Sequence, residues 1–354
     1  MKKELLITYN FILHYRKPVF NLLCQRYNVT VLHSGEVTVG QQDTYKEIIV
    51  PVKKIGPFYI QKGILPEVKK DYDVIIALFD VRWLYTLLSI YFHNPKSKFI
   101  LWGAWITDSF WANKARLYLT NKVDSNVFYT HEARRDFIER GIDESQLYVA
   151  NNTFDVGERI KSYENALKDK ILFVGSLDKR KQNDLLINAF YNIIDKIPQN
   201  INLTIIGDGV ESENLKNTVS KHNLKDRVIF VGKVNDTNIL KNYYKESIVS
   251  VSFGQAGLSV LQSLGYGVPF LTKHNAISGG EKTNIKNNIN SIFCEDNIES
   301  LEKQLVYLCN NIVDARKLGE NAYNYYSEFC TIENMAQGFI DAIENTRYAK
   351  VDIN

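Results

Sequence analysis

Short apolar runs recur along the whole chain, and each is followed by a longer stretch with the spacing of an amphipathic helix. The runs are continuous and rich in β-branched residues, which is the pattern of strands buried on both faces of a parallel sheet. The stretches between them are long enough for helical crossovers, and residues 184–197 form a clear amphipathic helix. Alternating β and α units predict a doubly wound α/β fold. The apolar runs begin at Leu5, Asn28, Glu47, Val74, Lys98, Asn126, Leu147, Ile171, Leu203, Val228, Ile248 and Pro269.

The series of runs breaks once, over the charged residues 156–170. We interpret this segment as a linker or a surface helix between two α/β domains, which a length of 354 residues also favours. We predict an N-terminal domain over residues 1–155 and a C-terminal domain over residues 156–334. The chain from Leu301 onward is helix-like and has more helix than one domain needs. The last helix, about residues 335–354, is therefore expected to pack back on the first domain.

Composition and charge are those of an ordinary soluble globular protein. Hydrophobic residues make up 45% and charged residues 23% of the chain, which excludes a long disordered tail and a collagen-like chain. The formal net charge of +3 is too close to balance to indicate a nucleic-acid partner. Aromatic residues make up 12% of the chain, so either the core is large or a surface is built to stack on ring-shaped ligands.

The cysteines and the N-terminus bear on the compartment. Cys24, Cys294, Cys309 and Cys330 show no C-x-x-C spacing, so neither a zinc site nor a disulfide framework is expected. The apolar run at Leu5 is too short for a signal peptide, and no run approaches the roughly 20 apolar residues of a membrane span. We expect a cytoplasmic protein that can touch the inner face of the plasma membrane peripherally.

A cluster of cations follows the first strand of the second half, at the end where parallel sheets bind ligands. The run ILFVG ends at Gly175, Ser176 follows, and Lys179, Arg180 and Lys181 precede the next helix. Three cations beside a helix N-terminus make a ready anion site. The alternative is that they are solvated residues of a turn.

A glycine turn follows the strand that begins at Ile248. Gly254 and Gly257 bracket this turn, and a helix is predicted to begin near Leu258. The free N–H groups of Gly257, Leu258 and Ser259 can receive a diphosphate, because glycines let a ligand approach the backbone. A single glycine turn is weak support for an anion-binding site. Two candidate anion sites in one domain are stronger support.

Two further turns lie at the same predicted edge. Gly207 opens a G-D-G turn before a helix, for which a plain βα turn is the favoured interpretation. The backbone near Lys233 and Val234 follows another strand, and a nucleotide base could sit beside it.

Together these segments resemble the nucleotide-sugar domain of a GT-B glycosyltransferase of family 4, also called group 1. The resemblance runs from Ile171 to about Cys330. Residues 175–181 are similar to the family's G-R-L-x-x-x-K segment, and G-D-G matches its G-D-G-P start. Residues 252–272 are similar to its E-G-F-G-L-x-x-L-E-A-M-A-x-G-x-P-V run. The resemblance implies a GT-B architecture, with two Rossmann-like domains facing a cleft and the donor in the second.

The resemblance also implies roles for individual residues. Lys181 would hold the donor diphosphate, and residues 257–259 would form the helix N-terminus beneath it. The E-x7-E motif is degenerate, because its two glutamates fall on Gly254 and Gln262. The family's usual arginine is Ser176 here.

Three side chains can take over the missing contacts. Gln262 can still hydrogen-bond a ribose, and Gln255 lies next to the position of the first glutamate. Glu281 follows two glycines after the strand at Pro269, and we expect it to contact ribose or sugar at the ligand edge. The alternative for Glu281 is a solvent-exposed loop acid.

The first half offers candidates for the acceptor side. His14 and Arg16 follow the first strand, and the resemblance places this loop at the cleft, where His14 would act as a base or an acceptor contact. A surface histidine is the alternative. Asp80 and Arg82 follow another strand end and are either cleft residues or a local ion pair.

Two later strands of the first half resemble the family more weakly. KFILWGAW is similar to the strand that ends W-G-H-G, so Ala104 stands where many members carry a histidine. Trp105 is a candidate for stacking on a sugar ring, whereas Trp102 is expected to pack in the core. His131 is expected to cap a helix at the cleft edge.

Residues 109–122 place Phe110, Trp111, Leu117 and Tyr118 beside Lys114, Arg116 and Lys122. A basic helix with aromatic anchors can lie on an anionic membrane. The alternative is an ordinary amphipathic helix docked on its own sheet.

The resemblance implies a retaining hexosyltransferase that moves a sugar from a UDP- or GDP-sugar to a hydroxyl of a saccharide or lipid-linked saccharide. The implied setting is bacterial surface polysaccharide or glycolipid synthesis. Lys181, helped by Arg180 and the turn at 257–259, would stabilise the leaving diphosphate, so no metal and no further cofactor is expected; His14 and Glu281 are the other candidate catalytic groups. Two alternatives are a GT-B sugar-nucleotide epimerase and a non-catalytic GT-B partner that binds a nucleotide sugar or steadies another transferase.

Overall fold

The computed structural model describes residues 1–345 and divides the chain into two compact units. The first unit comprises residues 1–152 and the segment from Ile332, and the second comprises residues 153–331. These boundaries fall beside the predicted ones at 155 and 334. Each unit has its own parallel sheet with helices around it.

The first unit is built on a seven-stranded parallel sheet in the order β3-β2-β1-β6-β7-β8-β9. Apart from the edge strand β3, its strands are buried as continuous runs, as expected for a sheet covered on both faces. A separate antiparallel hairpin, β4–β5, lies outside this sheet. The strands are β1 (Glu4–Thr8), β2 (Asn28–His33), β3 (Lys46–Ile49), β4 (Val52–Ile55), β5 (Phe58–Gln61), β6 (Val74–Leu78), β7 (Lys98–Trp102), β8 (Ser125–Phe128) and β9 (Leu147–Val149).

The second unit is built on a six-stranded parallel sheet in the order β12-β11-β10-β13-β14-β15. The order reverses beside β10, and this is where doubly wound sheets bind their ligands. The strands are β10 (Lys170–Val174), β11 (Asn202–Ile206), β12 (Val228–Gly232), β13 (Ser247–Val251), β14 (Phe270–Lys273) and β15 (Ile292–Cys294).

The helices follow the strands in the alternation that the sequence predicts. The predicted helix at residues 184–197 is α6, which ends in a single 3-10 turn. The helices of the first unit are α1 (Lys17–Leu23), α2 (Ile64–Glu67), α3 (Leu84–Phe92), α4 (Phe110–Thr120), α5 (His131–Ile138) and α12 (Ile332–Glu344). Those of the second unit are α6 (Asn183–Ile193), α7 (Ser212–Lys221), α8 (Thr237–Lys245), α9 (Ser259–Gly265), α10 (Ile298–Asn310) and α11 (Ile312–Phe329).

The fold prediction is confirmed, and every predicted apolar run is a strand that begins within one residue of its expected start. The run from Glu47 divides at Pro51, between β3 and β4, because proline cannot donate to a ladder. Residues 156–170 hold no surface helix, only a 3-10 turn at Ser162–Glu164. This segment is held against the rest of the second unit by hydrogen bonds. The Ser162 backbone N–H donates to the carbonyl of Tyr266, and the Arg316 guanidinium donates to the carbonyl of Tyr163.

The last described helix, α12, packs on the first unit. Its side chains join the core under β8 and β9, and Phe339 meets Trp102 edge to face with ring centroids 4.8 Å apart. Gly338 brings the helix backbone against β9, since a Cβ at this position would lie 2.2 Å from the carbonyl oxygen of Val149. Residues 346–354 of the predicted last helix lie outside the described residues.

Replacing Gly338 by alanine is expected to destabilise the first unit. The added methyl overlaps the Val149 carbonyl, so α12 must move away from β9. Overpacking of this kind lowers the free energy of unfolding by about 1–3 kcal/mol, which chemical denaturation measures. The exposed neighbour Gln337→Ala is the control and should leave the free energy of unfolding within about 0.5 kcal/mol of wild type. Equal stabilities of the two variants would contradict the close packing.

Candidate active site

The predicted donor-site loops meet at one edge of the second sheet. The N–H of Gly175, after β10, donates to the carbonyl of Ile206, and the N–H of Gly207, after β11, donates to the carbonyl of Gly232. These hydrogen bonds continue the ladder past the strand ends. The loops after β10, β11 and β12 therefore lie side by side, as the parallel order requires.

Lys181 is the cation that points into this edge. It ends a 3-10 turn over residues 179–181, and its ammonium lies 3.8 Å from the position that a Cβ on Gly175 would take. The residue is only 8% exposed. Within the described part of the chain its Nζ makes no hydrogen bond and no ion pair. Burial lowers the pKa of Lys181, while the carboxylates of Asp178 and Glu281 act in the opposite direction.

The other two cations of this turn point elsewhere. The Arg180 guanidinium is mostly exposed and forms an ion pair with Asp178, with Nη2 2.9 Å from Oδ2. Asp178 also accepts hydrogen bonds from the Arg180 backbone N–H and from the Ser176 hydroxyl. Lys179 is exposed. Arg180, expected to assist Lys181, is thus held by its neighbour in the turn.

The turn at 179–182 packs against the loop that begins at Gly254. The Gly254 N–H donates to the carbonyl of Lys181 over 3.2 Å. A Cβ on Gly254 would lie 2.2 Å from the Arg180 carbonyl oxygen and 2.8 Å from Cγ of Gln182. The position of the family's first glutamate is therefore a backbone contact here, with no room for a side chain.

The backbone after Gly254 presents unpaired donors. Within the described residues, the N–H groups of Gly257, Leu258 and Ser259 have no acceptor. A Cβ added to Gly257 would meet no atom within 4 Å, so there is open space above this turn. Helix α9 has only seven residues, so its N–H groups matter more than its dipole.

Several buried polar atoms near these loops have no hydrogen-bond partner within the described residues. Gln255 and Ser259 are among the residues predicted for the donor site, whereas nothing in the sequence marks Gln182 and Asn183. Both polar atoms of the Asn183 side chain are unpaired, although the residue is 3% exposed. Buried polar groups are nearly always paired, so these atoms have hydrogen-bonding capacity left for a polar ligand or for water. The unpaired atoms are Gln182 Oε1, Asn183 Nδ2, Asn183 Oδ1, Gln255 Oε1 and Ser259 Oγ.

Gln262, at the position of the family's second glutamate, is buried and held by Tyr244. The Tyr244 hydroxyl donates to Gln262 Oε1 over 3.2 Å. The Tyr244 ring stacks on that of Tyr266 with centroids 4.8 Å apart. Burial raises the pKa of Tyr244. Because Oε1 is occupied, the amide NH2 of Gln262 is the group left for a ligand. Tyr244 had no signal in the sequence, since its role depends on contact with α9.

Glu281 is buried, so its interpretation as a solvent-exposed loop acid is wrong. It starts a 3-10 turn and accepts a hydrogen bond from the Gly279 N–H over 3.0 Å. The loop that carries it pairs with the loop after β13, because the Ala256 N–H donates to the Ile277 carbonyl. Glu281 thus lies near Lys181. Its negative charge partly offsets the lowering of the Lys181 pKa that burial causes.

Lys233 and Val234 follow β12 at the same edge. Lys233 is exposed and close enough to Asp208 to help lower the pKa of that carboxyl, after the hydrogen bond from Ser212. Ser176 is exposed at the start of the cation turn.

In the first unit, the candidates lie in loops that follow the carboxyl ends of β1, β6, β7 and β8. His14 is exposed in a 3-10 turn. Arg16, expected in a cleft, is instead buried in the core of this unit, with its guanidinium 5.3 Å from the ring centroids of both Trp102 and Tyr129. The Arg16 Nη1 donates to the sulfur of Met335 on α12. Arg16 therefore fastens α12 and is not available to an acceptor.

The remaining first-unit candidates differ in exposure. Asp80 and Arg82 form the bidentate local ion pair that was their alternative interpretation, with Nη2 2.7 Å from Oδ2. Trp105 is half exposed with the Arg116 guanidinium over its ring, whereas Trp102 is buried as expected. His131 begins α5, but the cap of this helix is Thr130, whose hydroxyl accepts from the Ala133 N–H.

No group of three or more His, Cys, Asp or Glu residues in residues 1–345 is placed to hold a metal ion. Burial raises the pKa of the Cys294 and Cys309 thiols to about 12, so neither is a thiolate nucleophile. No helix among these residues is long and apolar enough to cross a membrane.

The sequence of the second unit is similar to a known family of proteins. Residues 158–325 match the family model for glycosyl transferases group 1. An uncharacterized glycosyltransferase of Haemophilus influenzae is 28% identical over 72% of each chain. The O-antigen biosynthesis glycosyltransferase WclY of Escherichia coli is 24% identical over 54% of this chain and 52% of its own length.

The fold is also that of solved structures. The crystal structure of Anabaena HepE in complex with UDP is similar with a TM-score of 0.72 and 14% identity, covering 97% of this chain and all of that chain. At this identity the similarity concerns the fold alone. Together, the two parallel α/β units have the GT-B fold, and residues 158–325 of the second unit match the family of glycosyl transferases group 1.

Proposed function

We propose that the chain transfers a sugar from a nucleoside-diphosphate sugar to a hydroxyl of a saccharide or lipid-linked saccharide, and that the edge around Lys181 holds the donor. The observation that carries this proposal is the buried Lys181 ammonium, which has no acceptor among the described residues. A buried cation without a partner is costly. A diphosphate bound between these groups would pair with the Lys181 ammonium and would accept hydrogen bonds from the unpaired N–H groups of residues 257–259.

This arrangement fits the chemistry of sugar transfer. When the bond between the anomeric carbon and the diphosphate oxygen breaks, negative charge develops on the leaving group. Lys181 and the backbone donors of residues 257–259 are fixed before the reaction, so they stabilise that charge without reorganising. Because these groups supply the positive field, we propose that transfer requires no metal ion.

The nucleoside end is proposed to lie along the loops after β11 and β12. The amide NH2 of Gln262, whose Oε1 is held by Tyr244, would donate to a ribose oxygen. The backbone near Lys233 and Val234 would face the base. We propose a UDP- or GDP-sugar as donor, and the UDP complex of the similarly folded HepE favours UDP.

Glu281 is proposed to contact a sugar hydroxyl and to hold Lys181 in place. Its carboxylate, like that of Asp178, lies close enough to Lys181 to act on its pKa, and no side chain fits at Gly254. We further propose retention of the anomeric configuration, which the resemblance to family 4 implies. The product's anomeric configuration, read by NMR, tests that point separately.

The setting is proposed to be bacterial surface polysaccharide or glycolipid synthesis at the inner face of the plasma membrane. The WclY relative, named for O-antigen biosynthesis, supports this choice. A lipid-linked acceptor would bring the enzyme to a membrane surface.

The test is release of nucleoside diphosphate without acceptor. The full chain is incubated with UDP- and GDP-sugars, and the products are separated by anion-exchange chromatography. We expect slow release of one nucleoside diphosphate and free sugar. Donor binding without any release would favour the non-catalytic partner, and conversion to another nucleotide sugar would favour the epimerase. Neither binding nor turnover would overturn the proposal.

Gln262→Ala is expected to weaken donor binding without unfolding the protein. The loss of one neutral hydrogen bond to the ribose corresponds to about 0.5–1.5 kcal/mol, or about 2- to 10-fold in the donor dissociation constant. Isothermal titration with the nucleoside diphosphate measures it. Gln304→Ala, on α10, is the matched control and should bind like wild type. Unchanged affinity in Gln262→Ala would remove this residue from the ribose site.

A further inference from the structure

Helix α4 carries its aromatic side chains outward. Phe110, Trp111 and Tyr118 are 62%, 76% and 56% exposed. Trp111 and Tyr118 are seven positions apart and Lys114 lies between them, so they share one face of the helix. Large rings are seldom left in water in this number without a partner.

The opposite face of α4 is the one that docks on the first unit. Arg116 and Thr120 are buried there, and Arg116 Nη1 donates to Thr107 Oγ1 and to Asn113 Oδ1. The helix therefore docks on its own unit, which was the alternative interpretation. This docking leaves the aromatic face exposed to solvent.

The outward charges on α4 are positive. The Lys114 ammonium lies 4.8 Å from the ring centroid of Phe110 and 5.6 Å from that of Trp111. The Lys122 ammonium lies 5.2 Å from the ring centroid of Tyr118. The helix has no acidic residue, and the exposed acid nearest its start is Asp108. The lysines therefore extend the aromatic face with a positive rim.

Helix α3 adds a second apolar stripe beside the first. Leu88, Tyr91 and Phe92 are exposed with helical spacing, and α3 contains no charged residue. The exposed Tyr91 ring has Tyr118 of α4 as a neighbour, and burial together with the Tyr118 hydroxyl raises the pKa of Tyr91. The two helices form one surface, here called the aromatic surface. It comprises Leu88, Tyr91, Phe92, Phe110, Trp111, Lys114, Tyr118 and Lys122.

We propose that the aromatic surface binds the headgroup region of an anionic lipid bilayer. Tyrosine and tryptophan rings favour the membrane–water boundary, and lysines beside them pair with anionic headgroups. A protein partner would need its own complementary acids, whereas a bilayer supplies negative charge across the whole surface. The binding does not depend on sugar transfer, so the two can fail independently.

The test is flotation of the full chain with lipid vesicles. We expect binding to vesicles of phosphatidylcholine with 30% phosphatidylglycerol, weaker binding to pure phosphatidylcholine, and loss of binding in 0.5 M NaCl. Lys114→Gln with Lys122→Gln should lower the partition coefficient about 30-fold, since each lysine near an anionic surface contributes about five-fold. Phe110→Ala with Trp111→Ala should lower it at least ten-fold.

The control pair lies in the second unit, where Tyr191→Ala and Lys221→Glu remove an exposed ring and an exposed cation. It should float like wild type. Wild-type protein that ignores anionic vesicles, or variants that float unchanged, would overturn the proposal. A dimer in solution that Phe110→Ala with Trp111→Ala disperses would also overturn it, because the surface would then be an interface between copies. Donor binding, measured on the same variants, should be unchanged.

Discussion

Lys181→Met is expected to lower the rate of sugar transfer by about 10²- to 10³-fold, the typical loss when one stabilising group for developing charge is removed. Methionine keeps the length and apolar stem of lysine and removes only the ammonium. The variant should fold as stably as wild type or better, because the wild-type ammonium is buried without a partner. Steady-state transfer and chemical denaturation, measured on the same preparations, give both quantities.

The control for this variant is Lys179→Met. Lys179 is two residues away in the same turn, but it is exposed. Its transfer rate should stay within about two-fold of wild type, because an exposed charge is screened by water. Equal losses in both variants would mean that the turn acts through its summed charge and that Lys181 has no special position.

The pH dependence of stability is a second test of whether the Lys181 ammonium is desolvated. Burial holds its pKa in the folded protein below the ordinary value of 10.5. Between the lowered pKa and 10.5 the unfolded chain binds more protons, so this residue makes the free energy of unfolding rise with pH. The wild-type free energy of unfolding minus that of Lys181→Met should therefore increase toward alkaline pH. A flat difference would show that the ammonium is not desolvated.

Gly254→Glu, which restores the family's first glutamate, is expected to destroy activity. The new Cβ would overlap the Arg180 carbonyl oxygen, only 2.2 Å away. The turn that carries Lys181 must then move, and a shift of about 1 Å in a catalytic group can lower the rate 10²-fold. Overpacking should also lower the free energy of unfolding by about 1–3 kcal/mol. Transfer assays and chemical denaturation measure the two effects.

The matched variant is Gln262→Glu, which restores the second family glutamate. Position 262 already carries a side chain of the same shape, and the Tyr244 hydroxyl can donate to a carboxylate as it does to the amide oxygen. This variant should fold and keep measurable transfer. An active, stable Gly254→Glu protein would contradict the backbone contact between the turn at 179–182 and Gly254.

The strands could be predicted from the sequence because their apolar runs are continuous and bounded by polar residues. β15 was missed because Ile292–Cys294 is only three residues long. The hairpin β4–β5 was missed because β4 is mostly exposed with two lysines and β5 has only four residues, so the hydrophobic periodicity is weak.

The position of the site in the fold was predictable, but the way its side chains point and pair was not. Sequence spacing put three cations in the turn at 179–181 and could not say which one faces inward, since the ion pair between Arg180 and Asp178 is a tertiary detail of the turn. The contact of Tyr244 with Gln262 joins residues 18 positions apart on different elements. Arg16 looked like a loop cation, but its burial depends on α12, more than 300 residues later.

A crystal structure of the full chain with UDP tests the central claim most directly. The account predicts the β-phosphate within hydrogen-bonding distance, about 3 Å, of Lys181 Nζ and of the backbone N–H groups at residues 257–259, with the ribose beside the Gln262 amide. A nucleotide bound at another place, or a diphosphate at this edge that leaves Lys181 without contact, would contradict it.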